Sequence, residues 1–219
     1  MQQTKQHTVA RWGFYLLGMV LLALGLTLNT KTGLGASAIV SVPFTVSQAT
    51  GWNFGDLTLV VYCLFVVAEF ILKGKNRQWI DVLQIPLSIV FTRFMNLFAG
   101  AIPYKNGNLP ADIALLIVAI LFTGVGAAMT VAMQLIPNPG DGIVGTIAQL
   151  TGKELGFCKN CFDVGCVTIS LIIGLCFGNL LLGVGLGTLI SMVGVGRAIA
   201  GFNYLCKRPL LRVTGMDRQ

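Results

Sequence analysis

Two arginines stand inside long apolar stretches of the sequence, where a charged side chain is costly. They are Arg93 and Arg197. An arginine deep in a membrane span costs at least about 2.5 kcal/mol on insertion scales, so another interaction must offset this cost. The planar guanidinium donates two parallel hydrogen bonds, which suits a carboxylate, sulfonate or phosphate. Both residues are therefore predicted to bind or gate an anion, unless they snorkel to the membrane surface or pair with an acid.

A third ionisable candidate, Asp141, opens a short apolar segment directly after the helix-breaking residues 137–140. Its carboxylate is predicted to act on a solute, to cap the free N–H groups of a helix start, or to do both. Ser37 opens a second short segment of the same kind. The predicted solute-binding residues are Arg93, Arg197, Asp141, Ser37, Asn138, Gln48 and Gln149.

Two further acids stand near lysines and have simpler expected roles. Glu69 is expected to snorkel to the cytoplasmic surface near Lys73. Asp163 follows Lys159 by four residues, a spacing that suits either an ion pair or contact with a substrate.

The sequence contains no recognisable set of catalytic or metal-binding residues. It has no HExxH, GxSxG or P-loop motif, and its single histidine is His7. Cys158 and Cys161 form a CxxC, but zinc requires four ligands, so reduced thiols at a helix start are favoured over a metal or redox pair. We therefore predict no enzyme activity, no cofactor and no metal.

The composition predicts an all-α, multi-pass membrane protein in contact with the lipid bilayer. Of the 219 residues, 55% are hydrophobic and 11% are charged, against about 25% charged in a soluble domain. A single soluble core could not bury so many long apolar stretches. The net charge of +7 is assigned to cytoplasmic loops and not to nucleic-acid binding. The predicted spans are 12–29, 57–72, 80–102, 113–133, 162–177 and 180–205.

Two shorter apolar segments, 36–49 and 140–150, follow helix-breaking residues, and each ends at Thr-Gly. A helix of 14 residues is about 21 Å long, which is too short to cross a hydrocarbon core of about 30 Å. Both segments are therefore predicted to be re-entrant helices, which enter the membrane and return to the same side.

The two halves of the sequence resemble each other at an offset of 101 residues. Gln48-x-Thr-Gly-x-x-x-Gly55 then aligns with Gln149-x-Thr-Gly-x-x-x-Gly156. Internal repeats of this size recur in transporter folds. The predicted organisation is an N-terminal tail (1–11), repeat 1 (12–104), repeat 2 (105–206) and a C-terminal tail (207–219). Each repeat contains a span, a re-entrant helix and two further spans.

The distribution of lysine and arginine favours six crossings with both termini in the cytoplasm. In this topology only Lys31 and Lys105 lie outside. The basic residues placed inside are Lys5, Arg11, Lys73, Lys75, Arg77, Lys153, Lys159, Lys207, Arg208, Arg212 and Arg218. Three spans per repeat give the halves opposite orientations, so both short helices would begin near the midplane. Helix N-termini carry partial positive charge and could form a central site there.

Several motifs carry a resemblance to a known family. They are Leu24-Gly-Leu-x5-Thr32-Gly-Leu-Gly-Ala-Ser37, the Gln48 to Gly55 motif, Pro139-Gly-Asp-Gly142 and Leu150-Thr-Gly152. Over residues 12–208 the chain resembles the YczE/YyaS/YitT group of bacterial membrane proteins, and most nearly its YczE branch. The resemblance implies a bacterial inner-membrane location and little chemistry. Where the family often has Ser-Pro-x-Asp, this chain has Ser37-Ala-Ile-Val40, so an acid is present only in the second copy, as Asp141.

These observations predict a membrane transporter or exporter of a small polar or anionic solute. The solute would pass a central site formed by the starts of the two re-entrant helices. The alternatives are a membrane-embedded substrate-binding subunit and a regulatory or scaffold protein, each of which acts with a partner. A homo-oligomer is compatible with all three.

Overall fold

The computed structural model describes residues 2–216, with side chains from His7 onward except that of Ile80. Every regular element in this part of the chain is helical, which confirms the predicted all-α class. Two short 3-10 helices, Gly74–Asn76 and Trp79–Leu83, connect α3 to α4. The α-helices are α1 (Gln2–Lys31), α2 (Ala38–Thr50), α3 (Phe54–Lys73), α4 (Gln84–Ala101), α5 (Leu109–Ala132), α6 (Pro139–Thr151), α7 (Leu155–Cys176), α8 (Leu186–Leu205) and α9 (Lys207–Val213).

Six helical segments are long and apolar enough to cross a membrane, in agreement with the predicted number. They are His7–Lys31, Phe54–Asn76, Asp81–Ala101, Leu109–Ala132, Leu155–Cys176 and Leu186–Leu205. The remaining helices of interest, α2 and α6, have 13 residues each, which corresponds to about 20 Å. Each is thus too short to cross a bilayer as a straight helix.

The two short helices end in the same way for a common reason. Gly51 follows α2 with a φ of 75°, and Gly152 follows α6 with a φ of 64°. Both glycines adopt the left-handed conformation that ends many helices and that residues with a side chain rarely adopt. The repeated Thr-Gly pair in the sequence is therefore a repeated helix terminus.

Two predicted span boundaries differ from the structure. α7 begins at Leu155, although the span was predicted to start at residue 162, because the polar residues Lys159 and Asn160 lie within its first turns. α8 begins at Leu186 and not at residue 180. Residues 177–185 are apolar but rich in glycine, and they form an irregular linker that hydropathy does not distinguish from a span.

α1 and α5 form the central contact of the molecule, and glycines permit their close approach. A side chain added at Gly25 would overlap the backbone of Thr123 in α5, and one added at Gly126 would overlap the backbone of Leu22 in α1. Small residues at such contacts are typical of helices that pack in membranes. Gly25 and Gly126 are 101 residues apart, which is the offset at which the two halves of the sequence align.

The packing of the other helices follows a regular pattern. α2 packs on α7 while α6 packs on α3, and α1 packs on α4 while α5 packs on α8. In addition, α2 packs on α3 and α6 packs on α7. If α1, α2, α3 and α4 are replaced by α5, α6, α7 and α8 respectively, and the reverse, each of these contacts becomes another contact of the same set. Two pairs break the pattern: α3 packs on α4 and α2 packs on α8, but within the described residues neither α7 with α8 nor α6 with α4 makes a comparable contact.

Candidate solute-binding site

A cavity of about 220 Å³ lies where α7 and α8 stand apart. α1 and α5 provide part of its wall through Leu22, Leu26 and Ala127, and α8 provides Val195 and Ile199. Nine polar residues share the lining with these apolar side chains. The polar lining residues are Ser37, Tyr62, Thr123, Asn138, Asp141, Lys159, Asn160, Asp163 and Ser191. Such a combination is typical of a small-molecule site, and the volume is below the roughly 300 Å³ found at the lower end for drug-sized ligands.

Both short helices begin at this cavity. Ser37, Ala38 and Ile39 line it from the start of α2, and Asn138 and Asp141 line it from the start of α6. Helix starts present backbone N–H groups and a partial positive charge. The structure therefore brings the two predicted helix starts together at one cavity.

The two helix starts differ in their chemistry. The Asn138 side chain accepts a hydrogen bond from the N–H of Gly140 at 3.1 Å, and Asp141 places a carboxylate in the first turn of α6. In contrast, the Ser37 side chain forms no capping hydrogen bond, and the first turn of α2 contains no acid. The α2 start is thus the more electropositive of the two.

Three charged side chains form a cluster on the α6 and α7 side of the cavity. The Lys159 Nζ atom lies 3.7 Å from Oδ1 of Asp141 and 4.0 Å from Oδ1 of Asp163. Lys159 and Asp163 are one helical turn apart on α7, so the spacing noted in the sequence forms an ion pair here. Partners stabilise partly buried charges, and here the single ammonium group lies near two carboxylates.

Asp163 is the most deeply buried member of this cluster. Its side chain is 9% exposed. Among the described residues, its Oδ1 atom accepts no hydrogen bond, although Lys159 is at ion-pair distance. Buried carboxylate oxygens normally accept hydrogen bonds, so this buried oxygen is an acceptor without a donor beside the cavity.

A larger cavity of about 580 Å³ adjoins the first one. Asp141 and Lys159 line both cavities, whereas Gln134, Asn203 and Lys207 line only the larger one. The Asp141–Lys159 pair therefore lies at the junction between the central cavity and a space that extends toward α9.

The opposite side of the central cavity is closed by contacts between two linkers. The N–H of Ala36 donates to the carbonyl of Gly183 at 3.1 Å, and the N–H of Gly187 donates to the carbonyl of Leu34 at 2.7 Å. These bonds tie the α1–α2 linker to the α7–α8 linker and the start of α8. Beyond them lies a separate cavity of about 390 Å³, whose lining includes Lys31.

The structure places the predicted site residues in several different locations. Ser37, Asn138 and Asp141 line the central cavity. Gln48 lines the cavity beyond the closed linkers, and Gln149 is exposed near the end of α6. These five residues therefore do not form a single site.

Neither arginine is among the residues that line the central cavity. The guanidinium of Arg93 forms an ion pair with the Asp56 carboxylate of α3, and both side chains are 55% exposed. Arg197 follows the cavity-lining Gly196, but its own side chain is exposed. The acid that neutralises Arg93 is thus Asp56, and this pairing depends on the packing of α3 on α4.

Sequence reasoning did not identify Lys159, Asn160 and Tyr62 as cavity residues. Lys159 was assigned to a cytoplasmic loop because the start of α7 was placed too late. The four-residue spacing between Lys159 and Asp163 was the signal that could have revealed it, since this spacing aligns two side chains on one helix face. Tyr62 stacks on Phe91 with a centroid distance of 5.9 Å and carried no signal beyond that of a core aromatic residue.

The expectation that Glu69 snorkels to the surface is wrong. Its side chain is 1% exposed and accepts a hydrogen bond from Gln84 Nε2 at 2.9 Å and one from Thr146 Oγ1 at 3.3 Å. The Lys73 ammonium group lies 2.7 Å from the Glu69 carboxylate and 2.9 Å from that of Asp81. Because these partners satisfy the carboxylate internally, Glu69 connects α3 to α4 and α6.

Comparison of the sequence with known proteins identifies a family. Residues 9–204 match the model of DUF6198, a family of unknown function. This chain belongs to the DUF6198 family. It is also 26% identical over 160 residues to the uncharacterized membrane protein YczE of Bacillus subtilis (strain 168), with 71% of each chain covered. No solved structure matches the chain. The relationship to YczE confirms the predicted resemblance and supports a membrane location for this DUF6198 protein.

Proposed function

We propose that this DUF6198 protein is a membrane transporter that carries a small polar or anionic solute through the cavity between α7 and α8. One observation carries the proposal: two short helices and an ion cluster meet at a single cavity among helices suited to a membrane. Ionisable groups in such a location are costly and generally functional. The proposal assigns no enzymatic role and no cofactor to the chain.

The proposed topology has six crossings, with α2 and α6 as re-entrant helices. It is supported by the 13-residue length of each short helix and by a packing pattern that survives exchange of the two halves. Three crossings per repeat would relate the halves by an axis in the membrane plane. The lysine and arginine distribution then places both termini in the cytoplasm of a bacterium.

In this topology the structure represents a state that is open toward the cytoplasm. The larger cavity, lined by Lys207, extends toward α9, while hydrogen bonds at Leu34 and Ala36 close the opposite side. The contrast between the packed α3–α4 pair and the separated α7–α8 pair supports the same assignment. Transport would require the α7–α8 cleft to close and the α1–α2 linker to separate from the start of α8.

The electrostatic roles within the cavity follow from the geometry. The α2 start supplies a partial positive charge, and Lys159 supplies a full positive charge beside the carboxylates of Asp141 and Asp163. The anion-binding role predicted for Arg93 and Arg197 is therefore assigned here to the α2 start.

Flux measurements with the purified chain in liposomes test this proposal. We expect accumulation or counterflow of at least one small polar or anionic solute above the level of empty liposomes. Lys159→Met should abolish that flux, whereas Arg197→Gln, a change outside the cavity, should leave most of it. Solute binding without flux would contradict the transporter and favour a membrane-embedded substrate-binding subunit. Absence of both binding and flux would favour a regulatory or scaffold role.

A further inference from the structure

The central cavity has two poles of opposite electrostatic character. At one pole the α2 start presents Ser37, Ala38 and Ile39 with no capping side chain and no acid in the first turn. At the other pole Asp141 and Asp163 lie near the single ammonium group of Lys159. The formal charge of these three side chains sums to −1, so the second pole attracts a cation.

Asp163 gives the acidic pole an independent indication of a ligand. Its side chain is more than nine-tenths buried and lines the cavity, and its Oδ1 atom accepts no hydrogen bond from the described residues. A buried carboxylate oxygen without a hydrogen bond costs free energy, which a donor from the solute would recover. An ammonium group is the donor best matched to this oxygen, because it adds charge as well as a hydrogen bond.

We propose that the solute is a small zwitterion with one ammonium group and one carboxylate, of the size of an amino acid. This inference rests on the proposed transport function. The carboxylate binds at the α2 start, where N–H groups and the helix dipole favour an anion. The ammonium group binds Asp163 at the acidic pole. The cavity volume of about 220 Å³ and the apolar wall formed by Leu22, Leu26 and Ile199 suit a small side chain.

A zwitterion satisfies both poles, whereas a simple ion satisfies only one. A plain anion would meet the α2 start but would also approach two carboxylates. A plain cation would meet Asp163 but would approach the positive end of α2. Specificity should therefore depend on the presence of both charges in one molecule.

A binding series on the unmodified full-length chain tests this inference. A thermal-shift screen of the common amino acids and β-alanine in detergent identifies the best zwitterion, whose affinity is then measured by calorimetry. The N-acetyl derivative removes the ammonium charge, and the methyl ester removes the carboxylate charge. We expect each derivative to bind at least about 10-fold more weakly than the parent, as for loss of one charge-assisted hydrogen bond. Equal or tighter binding of either derivative, or no binding across the panel, overturns the proposal.

A variant locates the ammonium contact. Asp163→Asn keeps the shape of the side chain and removes its charge, so zwitterion affinity should fall about 10- to 100-fold while affinity for the N-acetyl anion does not fall. The matched control is Asp56→Asn, because Asp56 pairs with Arg93 outside the cavity. If Asp163→Asn does not fold, the derivative series alone decides the outcome.

Liposome flux separates failure of this inference from failure of the transport proposal. Zwitterion binding without flux supports the two-pole site and contradicts transport. Flux of simple anions with no preference for zwitterions supports transport and contradicts the two-pole site.

Discussion

The Lys159 Nζ atom lies 3.7 Å from Oδ1 of Asp141, and this contact joins the second turn of α7 to the first turn of α6. The two residues are in different helices, yet both also line the two adjoining cavities. A pair at such a junction can respond to a solute and to the relative position of the helices.

Lys159 and Asp141 should show energetic coupling. Lys159→Met leaves two carboxylates without their nearby cation, and Asp141→Asn alone removes only one of them. We expect the double variant to be more stable than Lys159→Met alone, with a coupling free energy of about 0.5–3 kcal/mol. Thermal unfolding of the wild type, both single variants and the double variant in the same detergent provides the cycle. Additive effects would contradict the ion pair.

Glu69 should be a major determinant of stability, because its buried carboxylate has three partners. Glu69→Ala removes the carboxylate that pairs with Lys73 and accepts from Gln84, and it should destabilise the protein by about 3–5 kcal/mol. Asp56→Ala breaks the exposed pair with Arg93 and should cost no more than about 1 kcal/mol. Comparable shifts in the unfolding midpoint of the two variants would show that Glu69 is not held as the structure indicates.

The α1–α5 contact should not tolerate a side chain at Gly25. Gly25→Ala places a methyl group against the backbone of Thr123, and the resulting overpacking should cost about 1–3 kcal/mol. Gly13 lies on the same helix with no atom near an added methyl group, so Gly13→Ala should be neutral or stabilise by up to about 1 kcal/mol. The midpoint of thermal unfolding distinguishes the two, and equal effects would place the helices further apart than described.

A disulfide between the α1–α2 linker and the start of α8 should arrest transport. A Cβ atom built on Gly187 would lie 2.8 Å from Leu34 Cβ and 2.8 Å from the Leu34 carbonyl oxygen, so the linker backbone must shift to bring the two Cβ atoms into the usual range of about 3.5–4.5 Å. Leu34→Cys/Gly187→Cys should therefore lose flux on oxidation and regain it with dithiothreitol. Each single variant serves as the control. Undiminished flux in the oxidised double variant would show that these linkers do not separate during transport.

Much of the architecture followed from the sequence because apolar length and helix-terminating residues are local signals. The six long helices, the two 13-residue helices and their Thr-Gly ends all correspond to patterns of this kind. The meeting of Ser37 and Asn138 at one cavity was also expected, since it follows from treating the two segments as equivalent.

The parts that the sequence did not reveal depend on packing between distant segments. The ion pair between Arg93 and Asp56 requires α3 to lie on α4, and the partners of Glu69 come from α3, α4 and α6. Lys159 was misassigned because its charge resembles that of a cytoplasmic flank, whereas the helix that carries it begins at Leu155. Charge and hydropathy alone do not indicate which polar residues lie within a span and face a cavity.

Chemical modification of a cysteine in the cavity tests most directly whether the solute passes between α7 and α8. Ser37→Cys is introduced after the exposed residues Cys161, Cys176 and Cys206 are replaced by serine. A membrane-impermeant, positively charged thiosulfonate should modify this cysteine and stop uptake of the transported solute into liposomes. Addition of the solute should in turn slow the modification. Gln149→Cys, exposed and outside the cavity, should be modified without loss of uptake. Full uptake after complete modification of Ser37→Cys would contradict a solute path through this cavity.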